Sequence, residues 1–370
     1  MSFKEIFEKY SWQEVRESIL AKNTRDVEDA LHAPQRSLED FKALISPSAA
    51  RYLEPMAQLS RRLTQQRFGK TMHMYIPLYL SNECTNICTY CGFSMNNKVR
   101  RRTLTEREIM QEVEVIKQMG YEHVLLVTGE ANQTVHVDYF KMVLELIRPH
   151  FTQISMEVQP LDQQEYETLI PLGLHSVLVY QETYHKDEYR RHHPKGKKAH
   201  FHYRLDTPDR LGRAGIHKMG LGVLIGLEDW RTDSFFTALH LNYLEKTYWQ
   251  SRYALSFPRL RPFSGGIEPK VNMSDRELVQ LICAYRIFNA EVELSLSTRE
   301  SEKFRNHCIQ LGVTSMSAGS KTNPGGYIVA PESLEQFEIS DERSPQAMAQ
   351  MIRGGGYEVV WKDWDEGLMI

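Results

Sequence analysis

No apolar run in this sequence approaches the ~20 residues that a membrane-spanning helix requires. The opening stretch, MSFKEIFEKYSWQEVRE, mixes acids with bases and lacks the apolar core of an export signal. No low-complexity segment and no exact repeat divides the chain. Charge of one sign is lacking too. Lys and Arg number 45 against 48 Asp and Glu, and the net charge of -3 gives no general attraction to nucleic acid or to an anionic membrane. Cysteine is scarce, with five in 370 residues, which is poor material for a disulfide framework. The expected location is therefore cytoplasmic. An apolar fraction of 41% and a charged fraction of 25% fit a globular chain of one large domain or two ordinary ones.

What the sequence does have is a concentration of those few cysteines. The stretch NECTNICTYCGF, residues 82–93, holds Cys84, Cys88 and Cys91 in the spacing C-x3-C-x2-C. Cys283 and Cys308 stand alone and read as buried or idle thiols. A structural zinc site wants four closed ligands, but His73 and His123 form no ligand pair with the triplet and no second C-x2-C follows. A 4Fe–4S cubane normally places one thiolate on each iron. Three cysteines would leave one iron open, and an open coordination position is where chemistry occurs. Structural zinc and unliganded thiols remain the alternatives.

Residues 1–70 read as a helical N-terminal extension. Ser11-Trp12-Gln13-Glu14 and Ser37-Leu38-Glu39-Asp40 each open a helix, the first as a capping box, and Leu53, Met56, Leu59 and Leu63 form an apolar stripe. From Thr71 onward short apolar runs alternate with amphipathic stretches. Strands are expected at 72–80, 123–130, 153–160, 176–183, 219–228, 253–262, 291–300 and 313–321, with helical patterns such as 105–120 and 274–288 between them. Repeated strand–helix units imply parallel strands, and eight of them imply an α/β fold, a (β/α)8 TIM-type barrel, over 71–335. Residues 336–370 read as a C-terminal tail packing on it. Nearly every run turns polar at its C-terminal end, at Thr128-Gly129-Glu130, Glu157, Gln181-Glu182, Glu228, Arg259 and Arg261, Thr298-Arg299-Glu300 and Ser320-Lys321. Charges so close to apolar strands would be costly unless they faced a shared polar cavity, which is where barrel active sites are built.

The cysteine spacing, with an aromatic residue before its last member (Tyr90), resembles the signature of the radical S-adenosylmethionine (SAM) superfamily. The resemblance implies that the open iron binds SAM and that one electron yields a 5′-deoxyadenosyl radical. Thr128-Gly129-Glu130 is similar to that superfamily's Gly-Gly-Glu element for the methionine amine, with threonine in place of the first glycine. Gly222–Glu228 is a looser likeness to its adenine-side element. The segments MYIPLYLSNECTNICTYCGFSMNN, MEVQPL, VYQETYH, TPDRLGRAGI, FPRLRP, LSTRES, SAGSKTNPGGY and WKDWD together resemble the tyrosine lyases of bacterial thiamine biosynthesis. That likeness implies cleavage of L-tyrosine at Cα–Cβ into 2-iminoacetate and p-cresol, with a thiazole synthase as protein partner and a flavodoxin-type electron donor. The related lyase of FeFe-hydrogenase maturation carries a second cysteine triplet in a C-terminal extension. No cysteine follows Cys308 here, so that activity is not expected. A tryptophan-lyase-like enzyme and a non-catalytic, metal-stabilised scaffold are the competing readings.

On the same footing Cys84, Cys88 and Cys91 are expected as cluster ligands. Tyr90 either faces substrate and cofactor or shields the cluster from water. Phe93 offers its backbone to the adenine edge, and Glu157, Gln181 and Glu182 are SAM candidates because ribose hydroxyls suit carboxylate and amide acceptors. Arg299 is assigned to the substrate carboxylate through its planar fork, with Ser317 and Ser320 beside it. An ion pair of Arg299 with Glu300 or Glu268 is the competing role. Arg259 and Arg261 share a face, so either or both are cavity candidates. The run Lys98, Arg100, Arg101, Arg102 is read as a solvated patch or as a docking site for an acidic electron donor. A base for tyrosine is sought among His185, His192, His193 and Tyr180.

Overall fold

The computed structural model describes residues 2–261 and 266–363. The chain begins with five helices, α1 (Phe3–Phe7), α2 (Trp12–Leu20), α3 (Thr24–His32), α4 (Leu38–Ile45) and α5 (Leu53–Phe68). Ser37 and Asp40 close a reciprocal capping box on α4. Ser11 caps α2 from one side only, accepting from the Glu14 amide at 3.4 Å. The fully buried line of α5 is Met56, Ser60 and Thr64, with Leu59 and Leu63 only half-buried beside it. Ser60 is accommodated because its hydroxyl donates to the Leu311 carbonyl at 2.7 Å.

Eight strands follow: β1 (Thr71–Ser81), β2 (His123–Thr128), β3 (Gln153–Glu157), β4 (Leu174–Leu178), β5 (Lys218–Gly222), β6 (Arg252–Ser256), β7 (Glu293–Leu296) and β8 (Ser315–Ser317). Each pairs in parallel with the next, and β8 pairs back onto β1, so the sheet closes into the expected barrel. Parallel returns need crossovers. Helices supply them: α6 (Glu106–Gln118), α7 (Val137–Ile147), α8 (Gln163–Leu169), α9 (Lys186–His192), α10 (Phe201–Leu205), α11 (Thr207–Ala214), α12 (Trp230–Thr247), α13 (Asp275–Phe288) and α14 (Glu302–Cys308). Thr105 with Glu108 and Ser274 with Glu277 form capping boxes that start α6 and α13. The N-terminal helices lie against α12 and α13, where Phe3 stacks on His240 with ring centroids 3.6 Å apart.

Most strands stop short of the polar ends anticipated for them. β2 ends at Thr128, β5 at Gly222 and β6 at Ser256, and the residues that follow lie on loops at the C-terminal mouth. The last residue of the expected strand 253–262 lies outside the described residues. After α15 (Pro345–Gly354), a short β9 (Glu358–Val360) adds in parallel to the first residues of β1. The sequence pattern gave no sign of this strand, because its length is below that of a readable period. Beyond it Asp363 reaches the opposite, N-terminal end of the barrel, 2.9 Å from His73 Nδ1 and 3.2 Å from His123 Nε2. Trp361 of the WKDWD motif packs edge-on to Tyr121, and the motif's last two residues, Trp364 and Asp365, lie outside the described residues.

Candidate active site

The cysteine loop leaves β1 at the C-terminal mouth and is closed at its base by an antiparallel contact of Ser81 with Thr103. Asn82 pins both limbs, its amide donating to the Arg100 carbonyl at 3.0 Å and its side-chain oxygen accepting from the Arg102 amide at 2.7 Å. Inside the loop lies Arg101. Its guanidinium donates to the carbonyls of Asn82 (2.6 Å), Phe93 (2.8 Å), Ser94 (2.8 Å) and Asn97 (3.3 Å). The basic run therefore divides. Arg101 is internal scaffolding, Arg102 pairs with Glu108 at 2.9 Å, and Lys98 and Arg100 are exposed. Charged hydrogen bonds contribute ~1.5–3 kcal/mol each, so Arg101→Ala should disorder the loop and sharply reduce its iron uptake on anaerobic reconstitution. Iron and sulfide analysis, with hydrogen exchange of the loop amides, checks this. Wild-type iron content in the variant would count against the role.

Cys84, Cys88 and Cys91 all line one cavity. Burial pushes all three thiols upward, and the charge of a neighbouring thiolate adds to it at Cys84 and Cys88. Thiolates here therefore need strong cationic charge beside them. Among the described residues no three His, Cys, Asp or Glu side chains converge as a single metal ion demands.

The cavity is the shared polar chamber anticipated from the strand ends, with about 1540 Å³ of empty space including its mouth. Gly129 brings the end of β2 against the cysteine loop. A Cβ there would lie 2.2 Å from the Glu83 carbonyl oxygen, so only glycine allows the approach. The Thr128 hydroxyl beside it is buried without a hydrogen-bond partner among the described residues. Glu130 is already engaged, accepting from Arg204 at 2.9 Å and from Asn86 at 2.8 Å. Glu182 has a φ of 70°, which no other described non-glycine residue shares. Such strain persists where the surroundings over-determine it. Here Leu224 N–H donates to its carbonyl at 2.8 Å and Lys198 to its carboxylate at 2.7 Å. Burial opposes the charge on Glu182, but Lys198 and Arg204 outweigh it and its pKa falls. Glu157, by contrast, has no ion pair among the described residues, and burial, only partly opposed by Arg299, pushes its carboxyl up to about 7.

In the same cavity Arg299 lies with its guanidinium carbon 3.4 Å from the Phe337 ring centroid and meets no carboxylate at ion-pair distance among the described residues. Glu300 is taken instead by Arg259, and Glu268 is exposed. Ser317 and Ser320 line the same cavity, and the Ser320 hydroxyl is buried without a partner among the described residues. Tyr90 lies on the wall with its hydroxyl 2.5 Å from His193 Nε2. His193 Nδ1 donates to the Tyr189 carbonyl at 2.7 Å, so Nε2 accepts from the phenol. Burial holds His193 well below its usual pKa, as a neutral ring. His192 is occupied by Thr89 at 2.6 Å, His185 caps α9, and the Tyr180 hydroxyl donates to Ser256 at 3.0 Å. Nε2 of His192 is buried without a hydrogen-bond partner among the described residues, but of the four candidates only Tyr180 lines the chamber.

Not every expected residue reaches the chamber. Gln181, Glu228, Arg261 and Lys321 are absent from its wall, and Arg259, spent on Glu300 and Asp275, lines a separate pocket together with Arg261. Phe93 is present, packed edge-on to Tyr79 at 6.0 Å. The sequence reading missed Asn86, Lys198, Arg204, Gln336 and Phe337, all on the wall. Lys198 and Arg204 sit in a His- and Lys-rich stretch without a readable period, which lies antiparallel to the cysteine loop through Ile87 and Lys195.

Residues 78–238 match the family described as the Radical SAM superfamily, and residues 256–358 match the Biotin and Thiamin Synthesis associated domain. The chain is 54% identical over 368 residues to the 2-iminoacetate synthase of Escherichia coli K12, covering 99% of this chain and 98% of that protein. It is 53% identical, with the same coverage, to the 2-iminoacetate synthase of Salmonella typhimurium LT2. A crystal structure of HydG, a maturase of the FeFe-hydrogenase, superposes with a TM-score of 0.88 at 28% identity, covering 96% of this chain and 83% of that one.

Proposed function

This chain belongs to the 2-iminoacetate synthase family of radical SAM enzymes, and we infer from that its reaction and the part each residue plays. It is a lyase that cleaves the Cα–Cβ bond of L-tyrosine to 2-iminoacetate and p-cresol, with a 4Fe–4S cluster and SAM as cofactors. When bound, these supply a 5′-deoxyadenosyl radical from one electron. The observation that carries the residue assignment is one cavity shared by three thiols and a half-buried guanidinium with no carboxylate partner among the described residues.

Cys84, Cys88 and Cys91 are proposed to hold the cluster, on a loop that Arg101 and Asn82 keep closed. Thr128 and Glu157 offer unspent oxygens on the SAM side. Glu130 and Glu182 act through Arg204 and Lys198, which they fix in place. Arg299 takes the tyrosine carboxylate, and the Phe337 ring under it limits the swing of the fork. The Ser320 hydroxyl, without a partner of its own among the described residues, accepts from the substrate ammonium. Tyr90, pinned by neutral His193, forms a fixed wall between the thiols and the substrate and excludes water there. Holding the substrate within about 1 Å matters, because misplacement on that scale can cost ~100-fold in rate. Exposed Lys98 and Arg100 are proposed to meet a flavodoxin-type electron donor. The imine product is proposed to pass to a thiazole synthase.

Anaerobic incubation with dithionite, SAM and L-tyrosine should give p-cresol and 5′-deoxyadenosine together. L-tryptophan in place of tyrosine should give no indole product. Deoxyadenosine without p-cresol, or turnover of tryptophan at the tyrosine rate, would reject the substrate assignment.

A further inference from the structure

Gln336 lies 245 residues from Cys91 in sequence, yet its side-chain Nε2 is 3.6 Å from the Cys91 sulfur. Its Oε1 accepts from the Tyr79 hydroxyl at 2.8 Å, which fixes the amide so that its N–H groups face the thiol. The backbone is held independently of the side chain. Gly92 N–H donates to the Gln336 carbonyl at 3.2 Å, and Gln336 N–H donates to the Thr322 carbonyl at 2.9 Å. A Cβ on Gly92 would lie 2.7 Å from that carbonyl oxygen, so the two chains meet only because residue 92 is glycine. The next residue, Phe337, stacks on Arg299. A side-chain donor is thus delivered to Cys91, beside the backbone hydrogen bonds of Phe93 with Cys91 and of Asn86 and Glu130 with Cys84, by a segment that also reaches Arg299.

We propose that Gln336 sets the reduction potential of the cluster through an N–H···S hydrogen bond to Cys91, oriented by Tyr79. The inference rests on the reading of Cys91 as a cluster ligand. Hydrogen bonds to cluster sulfurs place positive charge density beside them and favour the more negative, reduced state. Losing the donor lowers the potential, and a positive donor in its place raises it. Packing alone predicts no such reversal of sign.

Potentiometric titration followed by electron paramagnetic resonance tests this on the anaerobically reconstituted full chain, with iron content measured beside it. Gln336→Met fills the same space without a donor and should shift the midpoint to more negative values. Gln336→Lys should shift it the other way. An unchanged midpoint in Gln336→Met, or shifts of one sign in both variants, overturns the proposal. If Gln336→Met takes up no iron, Tyr79→Phe decides. It keeps the amide but unpins it, so a smaller negative shift is expected and none would overturn the proposal. The underlying reading fails differently, by full retention of the cluster in Cys91→Ala.

Discussion

Alanine at any one of Cys84, Cys88 or Cys91 is expected to reduce 5′-deoxyadenosine formation to background and to strip most of the iron. The structure makes this test cleaner than the motif alone would. The loop is held by Arg101, Asn82, Asn97 and the Ser81–Thr103 contact, none of which uses a sulfur. The sulfurs themselves make only peripheral hydrogen bonds among the described residues, Cys84 with the backbone of Asn86 and Glu130, and Cys91 with the Phe93 backbone and the Gln336 side chain. A variant chain should therefore fold around an intact loop lacking one ligand. Circular dichroism and thermal unfolding should match the metal-free wild type. Cys283→Ser with Cys308→Ser is the control. Both thiols are fully buried and off the cavity wall, and Cys283 donates only a weak bond to the Leu311 carbonyl at 3.8 Å. Burying two hydroxyls there costs ~1–3 kcal/mol each from stability but should leave iron content alone. Full turnover in a single cysteine variant of the loop would remove the ligand assignment, and iron loss in the control would expose a missed ligand.

The barrel was legible because its signal is local. Each strand is a short apolar run, and each run ends in groups that cannot stay in a buried sheet, so topology followed from the count of strand–helix units. The cysteine loop and Arg299 were legible for the same reason, since residue type and position after a strand already limit their surroundings. What stayed hidden depends on contacts distant in sequence. Arg101 looked like one base in a surface run, and nothing local reveals that four carbonyls surround it. Gln336 and Phe337 lie in a tail without periodicity, and only the closed barrel carries them to Cys91 and Arg299. The histidines failed in the reverse direction. Three near one strand end looked like a base in waiting, whereas none of them lines the chamber, and each holds a phenol, a hydroxyl or a helix start.

Arg299→Ala should separate cofactor chemistry from substrate holding. Its guanidinium touches neither the thiols nor the Glu130–Arg204–Glu182–Lys198 network in any described hydrogen bond, so iron content and SAM binding should persist. Tyrosine should bind far more weakly. Losing a charge-assisted bidentate contact costs on the order of 2–3 kcal/mol, which is ~30–150-fold in affinity. Substrate that does bind would sit loosely, so deoxyadenosine should form in excess over p-cresol, an uncoupling read as a product ratio across a tyrosine titration. Arg299→Lys should recover only part of the loss, because an ammonium is a point charge without the planar fork that sits on Phe337. Wild-type p-cresol yield and tyrosine dependence in the alanine variant would take the carboxylate away from Arg299. Arg259 would be a poor replacement, being committed to Glu300 and Asp275, and Arg204 is committed to Glu130 and the Tyr180 carbonyl. A half-buried cation without an anion is partly stripped of water at a cost, and burial accordingly lowers the pKa of Arg299. A ligand that brings a carboxylate relieves that cost, which ties the affinity for tyrosine to this one group.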